Sequence, residues 1–497
     1  MSSARLDWHH LRLDVASSGA LLTISDASDG RVLGTMGFDL PSSWTPVRPV
    51  VNDDEVEWQW THSESISDGH DSAPEHLAQP TVAAHTDGPE SRAVVRISTE
   101  PTLSWRIALS TSTSAVNLEP PTMIWTPATP ARRWVGGSEA LLILDERPSD
   151  GLATAARLAR GQAWPMNDPT PGPQRIRLGP PLVAVSPEHG YSAAWVIERF
   201  ASLATATSAL PTWLPRDCTP GAGEPVFLDL PDAAVTSDLE VVTDEHGTQL
   251  TAEEGTHLVE VHGPGIETSF AITWNNGTDR LLRQIASGVL SQVDPRTADG
   301  SDAALVDRAD TAHLIPHDQA ESFLSDFCLE VIDAPQDARV DPEATPALLH
   351  WAFGDPSRMT AVLARLSHFS PGPGSMLAWL SASLAARAAR IDYRAAAPID
   401  SDDPLCLALH AILTRAPGPT DAVWTTIGLL HGPLPGPLPS ADLPRTAQAC
   451  AVLSLAPPTW QIEQRLGTGL AHEIEDTRAW LAAAAPDEST LSWLLWA

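Results

Sequence analysis

The chain has 497 residues, of which 43% are hydrophobic and 19% charged, and its formal net charge at pH 7 is −33. This length predicts more than one domain, because a single hydrophobic core stops growing well below it. The excess of acidic residues argues against a nucleic-acid-binding protein and against a protein of anionic membrane surfaces, since both need clustered cations.

All 30 basic residues are arginine, and the sequence contains no lysine. A Schiff-base lysine, a pyridoxal-phosphate attachment site and a P-loop lysine are therefore excluded. Two explanations of the missing lysine stay open. One is a compositional bias of the coding sequence, and the other is selection that protects the protein from modification at ε-amino groups.

Residues 1–205 consist mostly of short runs in which apolar and polar residues alternate, a pattern typical of strands. The runs LDWHHLRLDV, EVEWQW, SRAVVRIST and LSWRIALS are examples. We predict a large β-sandwich here, interrupted by a polar loop at 61–89. Within this region, residues 150–161 carry apolar residues at helical spacing and predict one helix, with Asp150 as its N-cap.

Residues 206–276 contain four further strand-like runs, PVFLDL, DLEVVTD, THLVEVHG and SFAITW, and predict a small immunoglobulin-like β-sandwich. The segment 268–293 then changes from strand to helix within a few residues. Asn275, Asn276 and Gly277 are turn-forming residues, and Thr278 is expected to cap a helix that begins at Asp279.

Residues 277–497 predict an all-α helical array, because amphipathic runs alternate with short segments rich in proline and glycine. The predicted helices are 279–293, 319–332, 345–351, 357–368, 376–391, 404–415, 420–430, 444–455, 460–485 and 490–496. The fold class is thus α+β multidomain, with a large β-sandwich, a small immunoglobulin-like β-sandwich and a C-terminal helical domain.

Tryptophan is unusually frequent, with 18 Trp against 2 Tyr and 8 Phe. An indole face is a flat apolar surface on which the C–H groups of a sugar can pack. Trp58 and Trp60 are two residues apart on one strand, so they share a face and are candidates for ligand binding. The alternative is that these side chains fill the core of the sandwich.

Arg132, Arg133 and Trp134 form a second group of candidate ligand-binding residues, because they join cations to an aromatic side chain just before a Gly-Gly turn. Three carboxylates that follow, Glu139, Asp145 and Glu146, are candidate catalytic residues, since glycoside hydrolysis needs a pair of carboxyl groups. The alternative is that these carboxylates are solvated loop charges.

The sequence predicts neither a metal site nor a cofactor. Its four cysteines are far apart, and the histidines of the 61–89 loop match no ligand spacing. We also expect no secretory leader and no membrane span, because no apolar run is long enough. A cytoplasmic location is therefore predicted.

The order of large sandwich, small sandwich and helical region resembles the layout of glycoside-hydrolase-like proteins that pair a galactose-mutarotase-like β-supersandwich with a helical toroid. No catalytic motif accompanies this resemblance. It implies a carbohydrate-interacting protein, either hydrolytic or catalytically silent, whose partner is an oligosaccharide. The alternative is a non-enzymatic scaffold that binds a partner protein. A ligand site is expected near the 268–293 junction, because binding sites favour domain interfaces.

Overall fold

A computed structural model describes the following residues: 4–15, 21–39, 44–46, 50–52, 55–63, 90–99, 103–112, 115–118, 120, 122–128, 132–145, 153–166, 176–178, 182–230, 232–244, 247–274, 277–335, 338–431, 434, 443–466, 468–484 and 487–496. The chain divides into two compact units. Unit 1 comprises Met1–Ala201 and Gly265–Thr268, and unit 2 comprises Ser202–Pro264 and Ser269–Ala497.

The strands of unit 1 are β1 (Ala4–Trp8), β2 (Leu11–Val15), β3 (Leu21–Asp26), β4 (Val32–Asp39), β5 (Trp44–Pro46), β6 (Val50–Val51), β7 (Glu55–Ser63), β8 (Glu90–Ser98), β9 (Ser104–Thr111), β10 (Val116–Leu118), β11 (Thr122–Pro127), β12 (Arg133–Val135), β13 (Ala140–Asp145), β14 (Ala153–Arg160), β15 (Pro165–Met166), β16 (Ile176–Leu178), β17 (Val183–Val185) and β18 (Tyr191–Phe200). Sheet A has the order β1-β2-β3-β4-β11-β16-β15. Sheet B has the order β12-β13-β14-β18-β9-β8-β7-β5, with β6 also paired to β7, and β10 pairs with β17.

Sheets A and B share one hydrophobic core. Leu13, Ile24 and Met36 enter it from sheet A, and Trp105 and Trp195 enter it from sheet B. The two indoles belong to residues paired directly across β9 and β18, and their rings stack with centroids 6.1 Å apart. Cross-strand aromatic pairs of this kind stabilise a sheet beyond the area they bury.

The helix predicted at 150–161 is replaced by strand β14, which lies between β13 and β18. Residues 150–152 lie outside the described residues. The apolar residues of this segment are mostly small alanines, and Ala153, Ala155 and Ala156 are all buried. Tertiary pairing on both sides of the strand overrides the helical propensity of alanine here.

Unit 2 begins with helix α1 (Leu203–Thr207) and continues with strands β19 (Val226–Leu228), β20 (Ala234–Ser237), β21 (Val241–Asp244), β22 (Gly247–Leu250), β23 (Gly255–Gly263) and β24 (Ile266–Trp274), the first residues of β24 being grouped with unit 1. Sheet C has the order β19-β22-β21, and sheet D has the order β20-β23-β24.

The remaining helices are α2 (Thr278–Gln292), α3 (Gly300–Thr311), α4 (His317–Asp333), α5 (Thr345–Ala352), α6 (Pro356–Arg365), α7 (Pro373–Ala389), α8 (Pro404–Leu413), α9 (Asp421–Ile427), α10 (Leu443–Leu453), α11 (Glu463–Leu466), α12 (Leu470–Ala483) and α13 (Glu488–Leu494). Together with the antiparallel sheets, they make the protein an α+β structure.

Helix α3 was not predicted, although its start is marked in the sequence. Asp299 and Asp302 form a reciprocal capping box, in which the Asp299 side chain accepts from the Ser301 and Asp302 N–H groups. The helix is nearly all buried and lacks a clear polar face, which removes the amphipathic pattern by which helices are recognised.

The 268–293 segment has the expected strand and helix, with one correction. Helix α2 begins at Thr278, so Thr278 is its first residue and Gly277 occupies the N-cap position at φ = 82°. Asn275 and Asn276 lie outside the described residues.

In the part of the chain that is described, no helix is both long and apolar enough to cross a membrane.

Candidate functional site on sheet B

Sheet B has one face turned to the shared core and an opposite face that we call the outer face. Strand alternation assigns residues to each, because neighbouring side chains on a strand point to opposite sides. On β8, for example, Ala93, Val95 and Ile97 are buried in the core. The part of the outer face that is not buried includes Glu55, Glu57 and Gln59 of β7, Val94 and Arg96 of β8, Arg106 and Ala108 of β9, Val196 and Glu198 of β18, and Arg157 and Arg160 of β14.

One cross-strand row of the outer face contains four charged side chains. The register pairs Glu57 with Arg96 and Arg96 with Arg106. It continues from Arg106 to Ala194 and from Ala194 to Arg160. Residues paired in this way have their Cβ atoms about 5 Å apart on the same side of the sheet. The three arginines thus lie along a single line across five strands, and we call this line the arginine row.

The first arginine of the row is neutralised. Arg96 donates two hydrogen bonds to Glu57 Oε2, one of them from Nε at 3.0 Å, and its Nε also lies 3.3 Å from Glu55. Gln59 donates to the other Glu57 oxygen at 2.6 Å. The bonds from Gln59 and Arg96 hold the pKa of Glu57 below its usual range. Glu57 therefore stays ionised and balances the charge of Arg96.

The other two arginines of the row, Arg106 and Arg160, are exposed. Neither has an ion-pair partner among the residues that the structure describes. Arg106 also lies directly opposite Arg96, an arrangement of like charges that destabilises a sheet. In a chain with a net charge of −33, two uncompensated guanidinium groups aligned on an exposed sheet are unusual.

A fourth arginine, Arg157, connects this row to one of the predicted catalytic residues. Its Nε donates to Glu198 Oε2 at 3.2 Å. Arg157 also lies within electrostatic range of Glu139, which is partly buried at the start of β13. Burial raises the pKa of the Glu139 carboxyl, and the positive charge of Arg157 partly opposes that rise. Arg157 thus lies near two carboxyl groups in different environments, the desolvated Glu139 and the hydrogen-bonded Glu198.

Trp58 and Trp60 do share one face of β7, as their spacing predicts, but it is the core face. Their exposed fractions are only 2% and 3%. Side chains of the shared core cover both indoles, so neither offers a platform to a sugar in this structure. The alternation pattern predicts that residues share one face of a strand, but it does not predict which of the two faces is buried against another sheet.

The group around Trp134 is also more buried than expected. Arg132 and Trp134 are each 3% exposed. Arg133 is half-buried and pairs with the core residue Leu142, so it lies on the core side of the sheet. Asp145 ends β13, but its side chain and all of Glu146 lie outside the described residues. Of the six described candidates, Glu139 alone reaches the outer face with a partly accessible side chain.

The Gly-Gly turn after Trp134 is fixed by backbone hydrogen bonds on both sides. Gly137 forms isolated β-bridges with Ala163 and Thr268, and the Ser138 N–H donates to the Glu267 carbonyl oxygen at 2.9 Å. The Ser138 and Thr268 hydroxyl groups are 2.7 Å apart. Gly137 has φ = +103°, and a Cβ there would collide with the Glu267 carbonyl. This turn therefore joins the 163 segment to the 267–268 segment within unit 1, and we call it the clasp.

The arginines of the outer face were missed by the sequence analysis, although a signal existed. In SRAVVRIS and SWRIALS, arginine occupies alternate positions opposite apolar residues, which marks the solvent side of a strand. Arg157 and Arg160 were missed because residues 150–161 were predicted to form a helix.

Among the described residues, no group of three or more His, Cys, Asp or Glu side chains is placed to hold a metal ion.

Comparison with protein-family models and with curated proteins finds no match. Among solved structures, the chain is similar to a polysaccharide lyase, with a TM-score of 0.48 and 10% identity, over 98% of this chain and 82% of the other. It is also similar to Escherichia coli alpha-2-macroglobulin activated by porcine elastase, with a TM-score of 0.17 and 9% identity, over 96% and 63% of the two chains. At these scores neither likeness carries an argument about function.

Proposed function

We propose that this protein binds an acidic glycan, meaning a chain of uronic acid or sulfated sugars, through the outer face of sheet B. The observation that carries the proposal is the arginine row, with Arg106 and Arg160 exposed and without an ion-pair partner among the described residues. A guanidinium group binds a carboxylate or sulfate through two parallel hydrogen bonds, and such charge-assisted bonds are the strong ones.

The spacing of the row suits an extended polymer. Arg106 and Arg160 lie two strands apart, which is about 10 Å at 4.8 Å per strand. A flexible glycan with one charge per sugar or disaccharide can place anionic groups at such intervals. The overall charge of −33 repels polyanions elsewhere, so it confines binding to this face.

Two other ligands fit this face less well. Neutral sugars are usually held by exposed aromatic rings, and single-stranded nucleic acid is held by base stacking on such rings. The indoles of Trp58, Trp60, Trp105 and Trp195 are all buried in the core. The outer face therefore offers ion pairing and hydrogen bonding, which favours an acidic glycan.

Titration with polygalacturonate oligosaccharides tests the proposal, with neutral dextran oligosaccharides and single-stranded RNA as comparison ligands. We expect acidic oligosaccharides to bind most tightly, and binding to weaken as salt is added. The double variant Arg106→Gln/Arg160→Gln should weaken binding by about 10-fold or more, since each charged hydrogen bond contributes about 1.5–3 kcal/mol.

The matched control is Arg283→Gln/Arg387→Gln, which removes two exposed arginines from α2 and α7 with the same change in net charge. It should bind like the unaltered protein. Equal weakening by the two double variants would show that only net charge matters and would contradict the assignment to sheet B. Preferential binding of RNA or dextran would contradict the ligand class.

Hydrolysis of the bound glycan forms the second step of the proposal. Glu139, whose pKa is raised by burial, would donate a proton, and Glu198, bonded to Arg157, would serve as the second carboxyl group. Glycoside hydrolysis uses a pair of carboxyl groups. We expect release of reducing ends from the acidic oligosaccharide, lost in Glu139→Gln with binding retained. Binding without release would make the protein a catalytically silent binder.

The finer architecture is part of the proposal as well. We infer a supersandwich-like domain at 1–205, a small immunoglobulin-like sandwich at 206–276 and a helical domain at 277–497. The common core of sheets A and B supports the first, and the two three-stranded sheets C and D support the second. Limited proteolysis should cut near residues 205 and 276 if these boundaries are domain boundaries. A cytoplasmic location stays a prediction, which fractionation of the producing cells tests.

A scaffold function has one observation in its favour. Phe227 and Val242 are both exposed, and both pair with Gln249 in sheet C, so these two apolar side chains lie on the same face of the sheet, on either side of Gln249. Exposed apolar patches often mark protein interfaces. Phe227→Ser should abolish self-association or partner capture without affecting glycan binding, if this face binds protein.

A further inference from the structure

A cleft of about 640 Å³ lies among helices α5, α6 and α7 of unit 2. Its walls are mainly apolar, with Met359 on one side and Ala385, Ala388 and Ala389 on another. The small alanines of α7 leave the space that larger side chains would fill. Phe353 lies at its edge with 81% of its surface exposed, which is unusual for an aromatic residue without a partner.

The polar feature of the cleft is a histidine oriented by a buried carboxylate. His350 lines the cleft, and its Nδ1 lies 2.5 Å from Asp307 Oδ1 on the neighbouring helix α3. The side chain of Asp307 is 11% exposed and that of His350 is 54% exposed. Burial raises the pKa of Asp307, while the hydrogen bond with His350 lowers it. Since Nδ1 is committed to Asp307, Nε2 is the ring nitrogen left for a ligand.

The charges of the lining favour an uncharged ligand. Among the described lining residues, the ionisable ones are His350 and Asp355. Asp355 caps α6: its Oδ1 accepts from the Ser357 and Arg358 N–H groups at 2.8 and 3.1 Å, and its Oδ2 lies 3.6 Å from Arg358 Nε, so both oxygens already have partners. An anionic ligand would meet two carboxylates, Asp307 and Asp355, without a cation in the lining.

We propose that this cleft binds an uncharged, mainly apolar small molecule whose hydroxyl group forms a hydrogen bond with Nε2 of His350. A hydroxyl group suits either charge state of the ring, because it donates to a bare Nε2 and accepts from a protonated one. The volume lies within the range of about 300–1,000 Å³ that is typical of small-molecule sites. This site is independent of the outer face of sheet B.

Isothermal titration calorimetry with three related probes tests the proposal: 2-naphthol, 2-methoxynaphthalene and 2-naphthoate. The first carries the hydroxyl group, the second lacks its proton, and the third carries a negative charge. We expect 2-naphthol to bind about 3- to 10-fold more tightly than 2-methoxynaphthalene, the value of one net hydrogen bond, and 2-naphthoate to bind most weakly.

Two substitutions locate the site. Ala388→Trp should fill the cleft and abolish binding, whereas Ala364→Trp, at an exposed position of α6 outside the lining, should leave it unchanged. His350→Phe should remove the preference for 2-naphthol over 2-methoxynaphthalene. Thermal unfolding checks that the variant folds. Absence of saturable 2-naphthol binding, or binding that survives Ala388→Trp, would overturn the proposal. Equal affinity for all three probes would overturn the ligand class.

Discussion

Arg96 and Arg106 face each other directly across strands β8 and β9 on the exposed side of sheet B. Glu57 compensates the charge of Arg96, but Arg106 has no such partner among the described residues. Cross-strand pairs of like charge lower the stability of a sheet.

Arg106→Gln should therefore stabilise unit 1 while it weakens glycan binding. We expect a gain of about 0.2–1 kcal/mol in the free energy of unfolding, from the removal of one like-charge pair. Urea unfolding of the variant and the unaltered protein at low salt measures this gain in the free energy of unfolding. In about 1 M salt, where the Debye length is about 3 Å, the gain should disappear. A gain that persists there would have another origin than charge repulsion.

Trp58→Ala should unfold or strongly weaken unit 1 and should not act as a selective binding variant. The indole is buried in the core between sheets A and B, and truncation of such a residue costs about 3–5 kcal/mol. Trp58→Phe, which keeps an aromatic ring, should cost clearly less. Both are measured by urea unfolding with circular dichroism. An unchanged unfolding curve with loss of sugar binding would instead place Trp58 at the surface.

Gly137→Ala should cost more stability than an equivalent change at Gly223. Both glycines have positive φ, +103° and +72°, but only at Gly137 does the added Cβ meet backbone, at the Glu267 carbonyl. A non-glycine residue in this region costs about 1–3 kcal/mol, and the collision adds to that at Gly137. The difference between the unfolding midpoints of the two variants measures the cost of the collision. Equal losses of stability would mean that the backbone around Gly137 can shift to accommodate the Cβ without strain.

The stability of unit 2 should depend on the titration of Asp476. Burial raises its pKa to about 6, with Glu473 and Asp217 adding to the rise and His472 opposing it. Because the folded-state pKa lies above the unfolded value of about 3.9, the folded protein binds the extra proton. This carboxyl therefore favours folding below pH 4, and its contribution declines as pH rises through 6.

Asp476→Asn tests this dependence, because the amide cannot ionise. At pH 7.5 we expect the variant to be more stable than the unaltered protein by about 1–2 kcal/mol, a value reduced for partial solvent exposure. At pH 4 the two should unfold alike. Denaturant midpoints at both values give the comparison, and a lower stability of the variant at pH 7.5 would contradict the raised pKa.

Much of the local structure follows from residue patterns. Alternation predicted strands such as β7, β8 and β9, and the turn-forming residues at 275–278 predicted the passage from β24 to α2. These predictions succeed because side-chain periodicity and turn chemistry are local properties. They failed at β14 and α3, where burial on nearly all sides removes the contrast between apolar and polar faces on which periodicity depends.

The candidate site was less accessible to sequence reasoning. Glu139 was predicted, but Arg106, Arg157 and Arg160 were not, because their significance lies in register between strands that are distant along the chain. Likewise, Asp307 and His350 are 43 residues apart, and the packing of α3 against α5 is what joins them.

By itself, the sequence determined the exclusion of lysine chemistry, the acidity of the chain and the order of strand-rich and helix-rich regions. Composition and periodicity are sufficient for these conclusions. Only the tertiary structure decided which face of each strand is covered. That choice buried Trp58 and Trp60, exposed Arg106 and Arg160, and turned the Gly136–Gly137 turn into a clasp. The physical reason is that alternation defines two faces of a strand, whereas the packing of one sheet on another selects the face that water reaches.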